Sequence, residues 1–218
     1  MLQLHYYPGN ASLIPHIVLE ELGATFELKY VDRDVAAHKS PSYLALNPNG
    51  LIPVFIDTAY TPKPLVLYEA AAICLHLADT HAAAELMPPL ASAARAHAYK
   101  WLAWLSATLQ STLIVYFYPE RWADDAAAIT QVRAHAEAKI DGLIEQLVAE
   151  FARHGGPWVL GETFSILDPY AFVLCRWTRG FGRPARERAE LKPWLDRMQV
   201  RPAVRRAVDR EKLKPPLV

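Results

Sequence analysis

Apolar and polar positions alternate along two short segments near the start of the chain. Residues 2–7 and residues 26–31 both show this period of two, which predicts two strands. Between them, from Ser12 to Leu22, apolar residues recur at helical spacing, and Gly23 is a suitable helix stop. A strand, a helix and a second strand in this order predict a parallel pair of strands with a crossover helix.

The pattern changes three more times before residue 80. Ser40-Pro41 predicts the N-cap and first residue of a short helix ending near residue 46. Residues 53–56 and 64–68 predict two further strands, and the turn-rich residues between them predict a hairpin. Residues 69–80 form a strongly helical stretch. The first domain, residues 1–80, is therefore predicted to be βαβαββα.

The remainder of the chain is helical in pattern. Residues 81–92, with Pro88-Pro89, are predicted to be a linker, and residues 93–218 an all-helical domain. Asp168 follows Ser165 by three positions ahead of an apolar run, which is typical of a helix cap, so its predicted role is structural. The helices are predicted at residues 92–116, 124–151, 165–177, 191–198 and 202–210.

Composition narrows the class of protein. The 218 residues are 52% hydrophobic and 21% charged, which suits one large or two small folded domains. The 23 basic residues are balanced by 23 acidic ones, so nucleic acid is not an expected partner. No apolar run reaches the ~18 residues of a membrane span, and no signal segment is expected at the start.

Cysteine and histidine usage bears on compartment and metals. Cys74 and Cys175 lie far apart in apolar helical patterns, which favours a reducing cytoplasm and argues against a disulfide framework. The eight histidines are scattered without the spacing of metal ligands. We therefore expect a cytoplasmic protein that holds no metal.

The turn Asn47-Pro48-Asn49-Gly50 leads into the third predicted strand. Proline sets φ there, and Asn and Gly tolerate positive φ. Pro53 opens the strand, and the Ile52-Pro53 bond is a candidate cis peptide. The competing interpretation of this stretch alone is an ordinary loop with a trans proline.

Four segments, taken in their order and separation, resemble the cytosolic glutathione transferase family over nearly the whole chain. The first segment is most similar to the bacterial beta-like branch. The resemblance implies a thioredoxin-like domain followed by a helical bundle, glutathione as co-substrate, and a homodimer. The segments are Tyr6-Tyr7-Pro8-Gly9-Asn10-Ala11-Ser12, Asn47-Pro48-Asn49-Gly50-Leu51-Ile52-Pro53, Leu67-Tyr68-Glu69-Ala70-Ala71-Ala72-Ile73 and Ser165-Ile166-Leu167-Asp168.

The resemblance also implies a role for each matched residue in binding glutathione. The Ile52 backbone, ahead of a cis-Pro53, would pair with the cysteinyl part. Glu69 and the backbone of Ala70 would hold the γ-glutamyl group at a helix start. Lys39 or His38 would neutralise the glycyl carboxylate.

The thiol would lie near Ser12, which is the first candidate to stabilise the thiolate; Asn10 is the second and Tyr7 the third. Ser12 can equally be a plain N-cap. Two departures from the family pattern bear on this chemistry. The beta branch has a cysteine at the position of Ala11, and the usual hydroxyl residue after the acidic residue is replaced here by Ala70.

Four residues along and just after the first long predicted helix, three of them aromatic, are candidates for the pocket of an apolar electrophile. Domain packing is the competing interpretation, and it is the preferred one for the neighbouring Trp101 and Trp104. The candidates are Thr108, Tyr116, Tyr118 and Trp122.

Three functional hypotheses follow. The first is a transferase that presents the glutathione thiolate to a small hydrophobic electrophile. The second is a non-catalytic ligand-binding or scaffold protein on the same fold. The third is a glutathione-dependent isomerase, peroxidase or dehalogenase.

Overall fold

A mixed four-stranded sheet organises the first part of the chain in a computed structural model that describes residues 1–218. Its strands lie in the order β2-β1-β3-β4. β1 is parallel to β2, and β3 is antiparallel to both of its neighbours. The predicted parallel pair and hairpin are therefore confirmed. The strands are β1 (Leu2–Tyr6), β2 (Phe26–Tyr30), β3 (Val54–Asp57) and β4 (Leu65–Tyr68).

Nine α-helices accompany the sheet, and the thioredoxin-like domain followed by helices is confirmed. All strands precede residue 69, and every element after it is helical. The helices are α1 (Leu13–Glu21), α2 (Pro41–Leu44), α3 (Ala70–Thr80), α4 (Ala93–Ala103), α5 (Ser111–Phe117), α6 (Ala126–His154), α7 (Leu167–Trp177), α8 (Lys192–Val200) and α9 (Pro202–Arg210).

The single helix predicted over residues 92–116 is interrupted. A π-helical segment, Trp104–Gln110, separates α4 from α5. The hydroxyl of Ser106 donates to the Leu102 carbonyl at 2.9 Å, and that of Ser111 donates to the Ser106 carbonyl at 3.3 Å. These side chains supply donors to carbonyls in the widened turns, a local effect that apolar periodicity does not record.

Contacts divide the chain into two compact units. The first comprises residues 1–87 and 200–214, and the second residues 88–199 and 215–218. Helix α9 belongs with the first unit because it packs along α1, where Arg201 pairs with Glu21 and Arg206 pairs with Glu20. The domain boundaries that the sequence predicts, at residues 80 and 93, remain a prediction.

The start of α7 contains a buried carboxylate whose hydrogen bonds are completed within the chain. Asp168 is fully buried and accepts hydrogen bonds from the backbone N–H groups of Val159 and Ser165 and from the indole of Trp194. Its predicted capping role is confirmed.

Both cysteines are free and fully buried. Burial raises the pKa of Cys175 to about 12 and raises that of Cys74 as well. Neither thiol is therefore a nucleophile near neutral pH. None of the helices has the length and apolar character needed to cross a membrane.

Candidate active site

One end of the sheet collects the residues that were predicted to bind glutathione. Val54, at the start of β3, pairs with His5 on one side and with Tyr68 on the other. Because β3 runs against both neighbours, its first residue lies beside the last residues of β1 and β4. Tyr6 pairs with Tyr30, so β2 ends there too. The register thus brings the segments 7–12, 31–39, 52–53 and 69–70 to the same end of the sheet.

Ile52 presents an unused pair of backbone groups at this end. The predicted cis Ile52-Pro53 bond is present. Ile52 is 8% exposed, and neither its N–H nor its C=O has a hydrogen-bond partner in the chain. Unpaired backbone groups at a buried residue are costly unless a ligand or water completes them. The geometry fits an extended peptide running beside this residue.

Two side chains that sequence reasoning missed hold the Ile52 segment in place. The Tyr43 hydroxyl donates to the Leu51 carbonyl at 3.0 Å, and the amide nitrogen of Asn47 donates to the same oxygen at 2.8 Å. Asn47 also accepts from the Asn49 N–H, so it closes the turn as well. The sequence signal for Asn47 was its place ahead of Pro-Asn-Gly, because an asparagine side chain commonly bonds to the backbone two residues further on. Its burial is known only from the structure.

Glu69 occupies a strained position at the start of α3. Its backbone has φ 70° and ψ 112°, outside the regions that L-residues prefer. Such a conformation costs about 1–3 kcal/mol and clusters at ligand sites. The side chain is exposed and makes no capping bond to the helix. The carboxylate and the first N–H groups of α3 are therefore both available, which suits a ligand carrying an ammonium and a carboxylate.

Lys39 places a positive charge near the turn ahead of Ile52. Its ammonium donates to the Asn49 carbonyl at 3.3 Å. A Cβ at Gly50, where φ is +58°, would lie 2.9 Å from the His38 carbonyl oxygen, so the turn approaches this backbone closely enough to require glycine. His38 beside it has a buried Nδ1 without a partner, and burial, Lys39 and Arg33 together lower its pKa. Lys39 is therefore the better candidate for a carboxylate.

Ser12 is fully buried, and its hydroxyl closes the turn between β1 and α1. The hydroxyl accepts from the Tyr7 N–H at 3.3 Å and donates to the Tyr7 carbonyl at 3.2 Å. It makes no capping bond to α1. Its predicted role at the thiolate stays a prediction, with a condition: the bond to Tyr7 would have to be exchanged for one to sulfur.

Asn10 is the more open donor of this turn. It is partly exposed, its Oδ1 accepts from the Ala11 N–H at 2.6 Å, and its amide nitrogen has no hydrogen-bond partner in the chain. Tyr7, the third candidate, stacks on Tyr30 with ring centroids 6.0 Å apart and lies under the Arg33 guanidinium.

The second unit contains an open groove between the π-helical segment, α5 and α6. Its volume is about 530 Å³, within the usual range for small-molecule sites. Of the predicted pocket residues, Thr108 and Trp122 line it. Tyr116 does not, because its ring packs against Phe181 with centroids 4.1 Å apart. Tyr118 lies under the Arg121 guanidinium instead.

A buried polar cluster also reaches the β1–α1 turn, and the sequence patterns did not single it out. Glu211, just after α9, accepts from the Gly9 N–H at 2.8 Å and contacts His16 Nδ1 at 2.7 Å. Nothing in the local sequence connects residues 202 positions apart.

Known proteins share this architecture. The family model described as glutathione S-transferase, N-terminal domain, matches residues 2–79. The chain is 30% identical over 214 residues to glutathione S-transferase GstA of Escherichia coli O157:H7, covering 98% of this chain and 100% of that protein. The chain belongs to the glutathione S-transferase family, a family of enzymes.

Solved structures agree with the sequence relatives. A glutathione transferase homologue from Sulfitobacter with bound glutathione aligns with a TM-score of 0.88 and 28% identity, covering 98% of this chain and 99% of that one. A bacterial beta class glutathione S-transferase from Sphingomonas chungbukensis aligns with a TM-score of 0.82 and 26% identity, covering 97% and 100%.

Proposed function

We propose that this protein binds glutathione at the described end of the sheet and stabilises its thiolate for attack on a small hydrophobic electrophile. The product is a thioether, formed by addition or by substitution of a leaving group. The observation that carries the proposal is the unpaired backbone of Ile52 at the same sheet end as the uncapped, strained start of α3. The Sulfitobacter homologue, with glutathione bound, supports it.

Each part of the tripeptide finds a chemically matched group. Ile52 pairs with the cysteinyl backbone ahead of cis-Pro53. Glu69 takes the γ-glutamyl ammonium, and the N–H groups at Ala70 take its carboxylate. Lys39, beside His38, neutralises the glycyl carboxylate. A hydroxyl residue in place of Ala70 would add one hydrogen bond, so its absence costs about 1 kcal/mol of affinity.

The energy needed to activate the thiol is modest. A thiol with a pKa of about 8.5 is only a few per cent ionised at neutral pH. Lowering that pKa by about two units requires ~2.7 kcal/mol of preference for the thiolate. One hydrogen bond to a charged acceptor contributes ~1.5–3 kcal/mol, and a helix N-terminus adds ~0.3–1. One donor at the start of α1 is therefore sufficient without a general base.

Asn10 is our preferred donor of that hydrogen bond. Its amide nitrogen is uncommitted, whereas the proton of the Ser12 hydroxyl is donated to the Tyr7 carbonyl. In this scheme Ser12 shapes the turn, and Tyr7 contributes an aromatic wall stacked on Tyr30. Ser12 as the direct donor is the alternative within the same mechanism.

The electrophile pocket is proposed to include Thr108 and Trp122, which line the groove of the second unit. Trp122 is 64% exposed and offers an aromatic face for an apolar ligand. The proposal predicts that Trp122→Ala raises KM for an aromatic electrophile and leaves KM for glutathione unchanged. Tyr116 and Tyr118 belong to the pocket only if substituting them by alanine also raises KM for the electrophile and leaves KM for glutathione unchanged.

A non-catalytic ligand-binding or scaffold protein on the same fold is the second candidate function. The committed hydroxyl of Ser12 and the alanine at position 11 favour it, because both reduce the donors that face a thiol. This candidate predicts normal glutathione binding without a thiolate signal.

The wider setting is proposed from the family. We infer a homodimer of the beta-like branch, working in the reducing cytoplasm, where both buried thiols stay reduced, in the detoxification of electrophiles. Sedimentation equilibrium at micromolar protein tests the dimer independently of catalysis.

The test of the proposed function is a calorimetric titration with glutathione, read together with the ultraviolet difference absorbance of the thiolate. Binding with a thiolate signal at mildly acidic pH supports the transferase. Binding without that signal favours the second candidate. No binding at millimolar glutathione would overturn the transferase and leave only the fold established. A panel of an aromatic halide, a peroxide and an isomerisable substrate then separates the transferase from an isomerase, a peroxidase or a dehalogenase.

A further inference from the structure

The turn that carries the proposed thiolate donor is held from both sides by one distant carboxylate. Glu211 is 3% exposed. Its Oε2 accepts from the Gly9 N–H at 2.8 Å, on the strand side of the turn. Its Oε1 contacts His16 Nδ1 at 2.7 Å, on the helix side. The two oxygens thus connect the segments that flank Asn10.

The turn between these two contacts is short and tightly bonded. Gly9 has φ 68°, a conformation that favours glycine, and the Asn10 N–H donates to the Tyr7 carbonyl at 3.1 Å. The backbone N–H of His16 donates to the Ser12 carbonyl, so His16 belongs to the first turn of α1. A shift of Gly9 or His16 therefore moves Asn10 as well.

The location of Glu211 is unfavourable for helix stability alone. It is the C-cap of α9, where the helix dipole favours cations over carboxylates. Its side chain is also removed from water, which is costly for a carboxylate unless donors surround it. The Gly9 N–H and the His16 ring are the groups that compensate this cost.

Helix α9 is also fixed on α1 by ion pairs to Glu20, whose Oε1 lies 3.8 Å from His16 Nε2, on the side of the ring opposite Glu211. Arg206 donates to Glu20 Oε2 at 2.7 Å and to the Glu20 carbonyl at 2.7 Å. Arg210 donates to Glu20 Oε1 at 2.6 Å. These contacts add to the packing of α9 on α1 without involving Glu211, so they offer a control interface between the same two helices.

We propose that Glu211 is a positioning residue for the transferase reaction: it clips the turn Tyr7–Ser12 in the geometry that directs the Asn10 donor at the thiolate. The inference rests on the proposed function, because it concerns how that thiolate is stabilised. His16 is the second half of the clip, since its ring orients the Glu211 carboxylate.

Three substitutions distinguish the loss of the Glu211 contacts from a general loss of stability. Glu211→Gln keeps an oxygen for the Gly9 N–H. Its amide can donate to His16 Nδ1 once the ring proton is carried by Nε2, which faces Glu20 Oε1 at 3.8 Å, so this variant should preserve the clip. Glu211→Ala removes both contacts. Arg206→Ala loosens α9 on α1 but leaves the Gly9 and His16 contacts intact, and it is the matched control for lost stability.

Two readouts decide the inference. The first is the apparent pKa of bound glutathione from its ultraviolet absorbance, with kcat and KM alongside. The second is the amide exchange rate of Gly9. We expect Glu211→Ala to raise the thiol pKa by about one unit, lower kcat at least tenfold and speed exchange at Gly9, since small misplacements of catalytic groups cost up to ~100-fold. Glu211→Gln should restore all three.

The outcomes are distinguishable. If Glu211→Ala behaves like Arg206→Ala in thiol pKa and kcat, the positioning role is overturned although the transferase stands. If Gly9 exchanges at the wild-type rate in folded Glu211→Ala, the clip itself is overturned. If the wild-type protein shows no thiolate signal, the proposed function fails and the catalytic role of Glu211 fails with it. Urea unfolding of each variant establishes that it is folded.

Discussion

Two helices in this protein have an acidic residue at their start, and the two carboxylates differ in burial and in hydrogen bonding. At α7, Asp168 is fully buried and accepts three N–H groups, from Val159, Ser165 and Trp194. At α3, Glu69 is exposed, caps nothing and has φ 70°. A carboxylate whose bonds are completed within the chain serves folding, whereas one left open on a strained backbone is available to a ligand.

The largest expected effect tests the folding side of this comparison. Asp168→Ala should lower the free energy of unfolding by about 4 kcal/mol, because it leaves several buried donors without an acceptor. Urea denaturation measures the loss. Trp194→Phe removes only the indole donor and should cost less, about 1–2 kcal/mol.

An Asp168→Ala variant within 1 kcal/mol of wild type would contradict this reading of the α7 start. Asp168→Asn provides a graded test, since it keeps one oxygen acceptor but places an amide donor where another acceptor is needed.

The second prediction addresses the ligand side. Glu69→Gln should weaken glutathione binding about tenfold to a hundredfold, because a charge-assisted hydrogen bond to the ammonium is worth ~1.5–3 kcal/mol. Its free energy of unfolding should change by less than about 0.5 kcal/mol, as is usual for exposed positions. Calorimetry gives the affinity, and urea denaturation gives the stability.

Glu69→Gly sharpens the same prediction. Glycine adopts φ 70° without steric penalty, so relief of strain should offset its greater unfolded-state freedom and leave stability near wild type or above it, while binding is still weakened. A Glu69 variant that loses stability but retains affinity would reverse the contrast with Asp168.

The third prediction compares two residues of the β1–α1 turn. Asn10→Asp keeps the oxygen that accepts from the Ala11 N–H but removes the amide donor and adds a negative charge. It should raise the pKa of the bound thiol by more than one unit. Ser12→Ala should change that pKa by less than half a unit and lower stability by about 1 kcal/mol, because it frees the Tyr7 backbone groups.

Thiolate absorbance as a function of pH measures both variants of this turn. A larger pKa change in Ser12→Ala than in Asn10→Asp would identify the serine hydroxyl as the donor after all.

The smallest expected effect concerns Glu20, a buried carboxylate like Asp168, but one whose partners Arg206 and Arg210 are the side chains of another helix. Burial acts to raise the pKa of Glu20, but hydrogen bonds from Arg206 and Arg210 lower it below its usual value. Because the folded pKa lies below the unfolded one, this contribution is complete above the ordinary carboxyl pKa of about 4.3 and is lost as the pH falls through the folded value.

The stability difference between wild type and Arg206→Ala should therefore be on the order of 1 kcal/mol at pH 7 and shrink below about pH 4.5. Urea denaturation at a series of pH values measures it. A difference that grows on acidification would reverse the assigned sign.

Most of the fold could be predicted from local pattern. Alternation located β1 and β2, and Ser40 and Gly23 marked a helix start and a helix end that the structure contains. The break at Trp104–Gln110 was missed because hydroxyl-to-carbonyl bonds leave the apolar spacing unchanged.

The candidate site also combines features that the sequence indicated with features that depend on the folded structure. The cis bond at Pro53 was a candidate from a proline that opens a strand, but the local pattern also allowed a trans proline, and only the resemblance of the surrounding segments to the family favoured the cis bond that the structure contains. The orientation of the Ser12 hydroxyl was not, since a hydroxyl can both donate and accept and chooses among neighbours that only the folded turn supplies.

The sequence by itself determined most of the elements, their order and the residue types that we propose for the glutathione site, because strand alternation, helix spacing and turn chemistry act over a few neighbouring residues. Only the tertiary structure decided which polar groups are completed within the chain. Strand register brought the start of β3 beside the ends of β1 and β4. The packing of α9 on α1 carried Glu211 to Gly9 across 202 positions, a contact formed by burial and ion pairing and not by local propensity.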